Sequence, residues 1–151
     1  MFHLLKETGF RLDDILSIRL WEAQKALERN ELTLREHKTA KSRTVTLTDT
    51  ARDALRHLTL YRSTSHPLGY LLPTMRNRKK RKIHRSTIYK NWREAVSRAK
   101  LDRADEVTVH SIRKLYARNL YERTGSLIAV QKDLNHRYKS TTLLYVTDIR
   151  D

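Results

Sequence analysis

One stretch of this 151-residue chain sets two polar–apolar alternations on either side of a polar turn, and that pair most constrains the fold class. In ELTLREHKTAKSRTVTLTD, Leu32 and Leu34 alternate with polar neighbours, as do Val45 and Leu47. A side-chain period of two is the strand period. The polar HKTAKS between the two halves makes them a β-hairpin with a basic tip, although the usual Asn-Gly turn is absent. The rest of the chain has helical spacing or turn chemistry. His3 to Thr8 reads as the last turns of a helix stopped by Gly9. From Leu12, LDDILSIRLW carries apolar residues at 12, 15, 16 and 20, one helix face, with Asp13 and Asp14 favourable in its first turn. Thr48 is placed to cap TARDALRHLTLYR, Ser86 to cap STIYKNWREAVSRAKL, Thr108 to cap VHSIRKLYARNLYERTG and Ser126 to cap LIAVQKDLNH, with Gly125 as a stop. Tyr70 to Leu72 is a short apolar run in a loop and a candidate third strand. The expectation is one mainly α domain, residues 1–151, with a small antiparallel β-hairpin or three-stranded sheet (α+β). Helical spacing assigns Trp92, with Tyr89 and Val96, to the core, and likewise Leu115, Leu120 and Ile128.

Composition narrows the function. Lys and Arg total 32 against 17 Asp and Glu, a net charge of +15. Solubility alone asks for a magnitude of roughly 2 to 8 in a small domain. Such an excess predicts a polyanionic partner, with double-stranded DNA leading. An anionic membrane is the weaker reading, because no segment is a basic amphipathic anchor. No apolar run is long enough to span a bilayer, and the first residues are too short and polar for a signal peptide. A cytoplasmic protein is expected. There is no cysteine, which excludes disulfides, thiolate catalysis and Cys-ligated zinc. The seven histidines form no HExxH pair, and neither a metal nor a cofactor is expected. The run RNRKKRK places Arg76, Arg78, Lys79, Lys80, Arg81 and Lys82 together as DNA contacts or as a solvated loop. Lys41 and Arg43, in the hairpin, are assigned to the same DNA contact.

Several short pieces gain meaning from their order. TGFRLDD sets Arg11 after a glycine turn, with Asp14 one helical turn on. Lys38 lies near the hairpin tip. HSIR puts His110 and Arg113 on one helix face. LNH places His136 at a helix end, and Tyr145 follows nine residues later. Taken singly, the basic residues read equally well as passive phosphate contacts, the histidines as cap or core-edge residues, Tyr145 as a core-edge tyrosine and Asp14 as a helix-end charge. Taken together, the sequence resembles the catalytic domain of the tyrosine recombinases, the phage-integrase family, from about Thr8 to about Val146. That family carries an Arg in a TGLRxxE-like stretch, a hairpin Lys, an HxxR motif, an LGH motif and a Tyr nine residues on. Two departures are visible: Phe10 replaces the common Leu, and Asn135 replaces the glycine of LGH. Asn is the next most tolerant residue for a left-handed backbone angle, so the turn is expected to survive.

The resemblance implies DNA cleavage and rejoining through a covalent 3′-phosphotyrosyl link, with Tyr145 as nucleophile. Arg11 and Arg113 would grip the phosphate, since a guanidinium fork suits its oxygens. Lys38 would be the general acid, His110 a general base or phosphate-orienting group, and His136 a hydrogen-bond donor to a phosphate oxygen. Asp14 would orient another group of the site. The alternatives are a type IB topoisomerase, which uses similar chemistry, and a non-catalytic DNA-binding fragment. Family members carry an N-terminal core-binding domain, often an arm-binding domain, and a C-terminal tail that docks on a neighbour. The chain has room for neither N-terminal domain. A full-length protein is expected to form dimers or tetramers on DNA, and this piece to be monomeric. Tyr145 is expected to be loosely held, displaced from the Arg11–Arg113 pocket until DNA or a neighbour orders it.

Overall fold

The structure is a computed structural model that describes residues 1–62, 66–74, 81–100 and 106–147. The alternating stretch forms the expected hairpin. Strand β1 (Glu31–Arg35) pairs antiparallel with β2 (Ser42–Thr46), Leu32 opposite Val45 and Leu34 opposite Arg43. Residues of one parity face inward, so Leu32 and Leu34 are buried. The tip is closed by Ala40 at φ 55°, whose N–H donates to the Glu36 carbonyl at 2.9 Å.

Eight helices accompany it among the described residues: α1 (Phe2–Thr8), α2 (Leu12–Leu16), α3 (Leu20–Arg29), α4 (Asp49–Tyr61), α5 (Arg85–Arg98), α6 (Val109–Thr124), α7 (Leu127–Asp133) and α8 (Lys139–Thr147). Thr48 and Ser126 cap α4 and α7 by accepting the N–H groups of Ala51 and Ala129. Gly9 and Gly125 end α1 and α6 in the left-handed conformation. Helix α5 starts one residue before the expected cap, and His84 Nδ1 accepts the Ser86 N–H instead.

Three expectations need correction. The segment from Leu12 is two helices, not one. At Arg19 the chain is extended, the Ile18 carbonyl accepts the Leu71 N–H and Leu20 N–H donates to the Gly69 carbonyl. The docking of residues 69–71 therefore breaks a pattern that local spacing would continue. Among the described residues the third strand reduces to isolated bridges, Arg19 with Tyr70 and Pro73 with Lys82, and the sheet has two strands. Leu115 and Ile128 are 37% and 54% exposed. The inner face of α6 is Ile112, Arg113, Tyr116 and Ala117, with Leu120 partly buried, and Leu115 falls beside it. Trp92 does pack inward, against Phe2 at 4.8 Å between rings, with Nε1 donating to the Val107 carbonyl at 2.9 Å.

A large core joins α1–α4, the hairpin, Leu71, Ile88 of α5 and the start of α6. A smaller one holds Tyr116, Ala117, Val130 and Leu134, with Leu120, Tyr145 and Val146 at its edge. The cleft described next lies between them. Among the described residues, no helix is long and apolar enough to cross a membrane.

Candidate active site

The turn between α1 and α2 is the anchor of the site. Gly9 adopts φ 62°, and a Cβ there would lie 2.2 Å from the Tyr116 ring. Both the backbone angle and the close approach demand glycine. This fixes two successive backbone carbonyls against basic side chains and sets the start of α2. Thr8 offers its carbonyl to Arg43 Nη2 at 2.7 Å, Gly9 offers its carbonyl to Arg113 Nη1, and Arg11 starts α2 facing the hairpin.

Arg113 is 2% exposed. Its Nη2 donates to the Leu134 carbonyl at 2.9 Å, which ties α6 to the end of α7. Burial first, then Arg11 and Arg43, lower its pKa to about 10, so it stays cationic at neutral pH. Among the described residues its Nε has no hydrogen-bond partner. Arg11 is partly open, with Nη1 3.1 Å from Glu36 Oε2.

Helix α8 supplies the opposite wall. Thr142, Tyr145 and Val146 share its inner face, at spacings of three and four. Tyr145 Oη is 2.5 Å from His110 Nε2, and its ring meets those of His110 and His136 edge-on, centroids 5.1 and 4.6 Å apart. Tyr145 therefore lies inside the cleft, contrary to the expected displacement. Burial, then Arg113, Lys114, Arg11 and Lys38, push the His110 pKa down. Burial, then Arg113 and Arg11, take His136 down to about 4. Both imidazoles are neutral at pH 7. His136 Nδ1 lies 3.1 Å from the hydroxyl of Thr142. If that hydroxyl donates, the His136 Nε2 carries the proton. The turn before it has Asn135 at φ 51°, the left-handed angle expected of the residue in the glycine place.

Arg11, Lys38, Lys41, His110, Arg113, His136 and Tyr145 line one cleft of about 960 Å³. Among the described residues the Asp14 carboxylate pairs with neither Arg11 nor Arg113, although its backbone N–H donates to the Arg11 carbonyl at 3.1 Å. Its buried Oδ1 accepts the His37 backbone N–H at 2.9 Å and faces His37 Nδ1 at 3.1 Å, so it holds the residue next to Lys38. Lys82 Nζ donates to Ser17 Oγ at 2.9 Å, while Arg81 is exposed. Arg76, Arg78, Lys79 and Lys80 lie outside the described residues.

Arg43 is a correction. It is 6% exposed, bonded to Asp133 Oδ2 at 2.9 Å, and stacked 4.0 Å over the Phe10 ring. Unlike Arg113, it does not line the cleft: its guanidinium is turned to Asp133, the Thr8 carbonyl and the Phe10 ring instead of towards DNA. Glu36 was missed: it is fully buried among Arg11, Arg43 and Arg113. Strand parity carried both signals. Arg43 precedes inward Val45 by two, and Glu36 continues the inward series of Leu32 and Leu34.

Known proteins share this architecture. The chain is 27% identical over 139 residues to the probable integrase/recombinase YoeC of Bacillus subtilis, covering 92% of this chain and 71% of that protein. It is 26% identical over 142 residues to the tyrosine recombinase XerA of Pyrococcus furiosus, 94% of this chain but 47% of that protein. The crystal structure of a XerA recombinase superposes with TM-score 0.79 at 22% identity, over 98% of this chain and 52% of that one. The XerH site-specific recombinase bound to palindromic difH substrate gives 0.72 at 21%, over 95% and 40%. The chain thus spans about half the length of XerA. The family model of the phage integrase family matches residues 1–150, the anchor turn and the tyrosine wall alike, and the chain belongs to that family.

Proposed function

We propose that this chain is the catalytic domain of a site-specific DNA recombinase of the integrase type, with Tyr145 as its nucleophile. The observation that carries the reading is the 2.5 Å contact of Tyr145 Oη with His110 Nε2, in the cleft that also presents Arg11 and Arg113. The net charge of +15 supports a DNA substrate.

The chemistry follows from the groups. A neutral imidazole accepts the phenol proton as Tyr145 Oη bonds to phosphorus. Arg11 and Arg113 face the charge that grows on the non-bridging oxygens. His136 Nε2–H donates to one of those oxygens. The P–O5′ bond breaks, and Lys38 at the cleft rim delivers a proton to the leaving 5′-oxygen. The products are a 3′-phosphotyrosyl link and a 5′-hydroxyl. Attack by a 5′-hydroxyl reverses every step, so rejoining needs no ATP. Asp14 acts through the hairpin, holding His37 beside Lys38. Lys41, Arg81 and Lys82, with Arg76, Arg78, Lys79 and Lys80, are proposed as backbone contacts. Self-association on DNA as a dimer or tetramer is proposed for a full-length protein, working in the cytoplasm of a bacterial or phage-infected cell.

The test is a nicked suicide duplex, from which the cleaved fragment diffuses away. A covalent protein–DNA adduct is expected, abolished by Tyr145→Phe. Relaxation of supercoiled DNA without site preference would favour a topoisomerase instead. Absence of an adduct from a full-length protein carrying this domain, on any duplex, would end the catalytic reading.

A further inference from the structure

The carboxylate of Glu36 has no exposed surface, and a buried carboxylate requires compensation. Its Oε2 lies 3.1 Å from Arg11 Nη1 and accepts hydrogen bonds from Thr39 Oγ1 at 2.9 Å and Asn135 Nδ2 at 3.1 Å. Its Oε1 faces Arg43 Nε at 3.7 Å and Arg113 Nη1 at 3.9 Å and makes no hydrogen bond among the described residues. Burial alone would raise its pKa, but the Asn135 hydrogen bond, Arg11, Thr39 and Arg113 together bring it below the ordinary value. It is therefore an anion at neutral pH.

Three guanidiniums from three separate segments converge on this single anion. Without it they would repel one another in a poorly hydrated space. Arg43 is already fastened, to Asp133 and the Thr8 carbonyl. Arg113 is fastened by two backbone carbonyls. Arg11 has no hydrogen bond to its Nη1, and Glu36 is its only close ion-pair partner among the described residues. Glu36 also reaches Asn135, the residue before His136, and sits two residues before Lys38. One carboxylate thus links four elements of the cleft.

We infer that Glu36 is a positioning residue: its carboxylate sets the spacing of Arg11 from Arg113, so that two guanidiniums meet one phosphate in line with Tyr145. The inference rests on the strand-transfer reading above. It makes an asymmetric demand. Glu36→Gln keeps the size and removes the charge. The cleft becomes more positive, so DNA binding holds or strengthens, while the alignment needed only in the transition state is lost. Simple damage to the fold would weaken both together.

The experiment uses the full chain and a nicked suicide duplex that the unsubstituted protein cleaves. Glu36→Gln should leave duplex affinity unchanged or several-fold tighter and slow adduct formation by about 100-fold, the scale of a misplaced charge-stabilising group. Glu36→Asp retains the charge and should recover part of that loss. If Glu36→Gln does not fold, Glu36→Asp carries the same split, slower adduct formation at unchanged affinity. Equal losses in affinity and rate, or an unchanged rate, would overturn the inference. A second readout does not depend on cleavage. Inorganic phosphate titrated into the protein should shift the side-chain Nε–H NMR signals of Arg11 and Arg113 with one common affinity. In Glu36→Gln the two should titrate separately, and a common titration would count against positioning. If the unsubstituted protein forms no adduct on any duplex, the recombinase reading fails, and the arginine signals alone decide this one.

Discussion

On the cleft floor, Arg113 is 2% exposed and bonded to carbonyls of two other segments, whereas on the facing wall α8 leaves Leu143 and Leu144 50% and 61% exposed. The floor rests on the large core and on crossed links between hairpin, first turn and α6. The wall rests on the small cluster of Tyr116, Ala117, Val130 and Leu134. The proposed phosphate-binding half is thus built on the large buried core, and the proposed nucleophile half packs on α6 and α7 through a much smaller buried cluster. Electrostatic stabilisation gains from groups that need no reorganisation. A nucleophile that must attack, stay bonded and be released gains from a support that gives way more easily.

The largest effect should come from the link between floor and wall. Arg43→Met leaves Glu36 and Asp133 without a shared partner and should cost about 3–5 kcal/mol in urea unfolding, the scale for a broken buried pair. Among the folded molecules, the salt dependence of DNA binding should not change, since Arg43 does not line the cleft and is held by Asp133 and the Thr8 carbonyl. A drop of about one in the salt slope would instead restore Arg43 as a phosphate contact. Next, Gly9→Ala places a Cβ against the Tyr116 ring at a positive φ and should cost about 2–4 kcal/mol in the same measurement. An effect below about 1 kcal/mol would show that the first turn is softer than described.

A smaller effect lies on the wall. His136 has a pKa of about 4 against 6.5, so the unfolded chain binds the extra proton between those values. Its contribution to stability is complete above pH 6.5 and is lost as the pH falls towards 4. Melting temperatures followed across that window should show a decline that His136→Gln flattens. An identical decline in both proteins would remove His136 as its source. The smallest effect is expected at the exposed Arg81, where Arg81→Ala should change stability by no more than about 0.5 kcal/mol yet reduce the DNA salt slope by about one.

These contrasts also explain what could be read from sequence. The hairpin, the glycine stops at Gly9 and Gly125, and the caps at Thr48 and Ser126 depend on local chemistry, and they are where expected. The split at Ile18–Arg19 was hidden because residues 69–71, about fifty positions away, impose it. Arg11, Lys38, His110, Arg113, His136 and Tyr145 could be assembled only through their family order, because no periodicity says that they share a cleft. Glu36 and Arg43 were obscured by their charge. Both follow the inward parity of the hairpin, but a charged residue reads as solvated until its partners are known, and theirs come from distant segments. Arg43 was consequently assigned to DNA and Glu36 to nothing. The opposite mismatch falls on α6 and α7, where Leu115 and Ile128 have core chemistry yet are exposed beside the small cluster.

The central claim is that Tyr145 carries the covalent chemistry from inside this cleft. The most direct test is to trap the adduct on a nicked suicide duplex, digest it with trypsin and nuclease, and locate the attached nucleotide by mass spectrometry. The account predicts a 3′-linked nucleotide on the peptide containing Tyr145, on the Tyr145 oxygen. A nucleotide on Tyr138 or another residue, or on a serine, would contradict it.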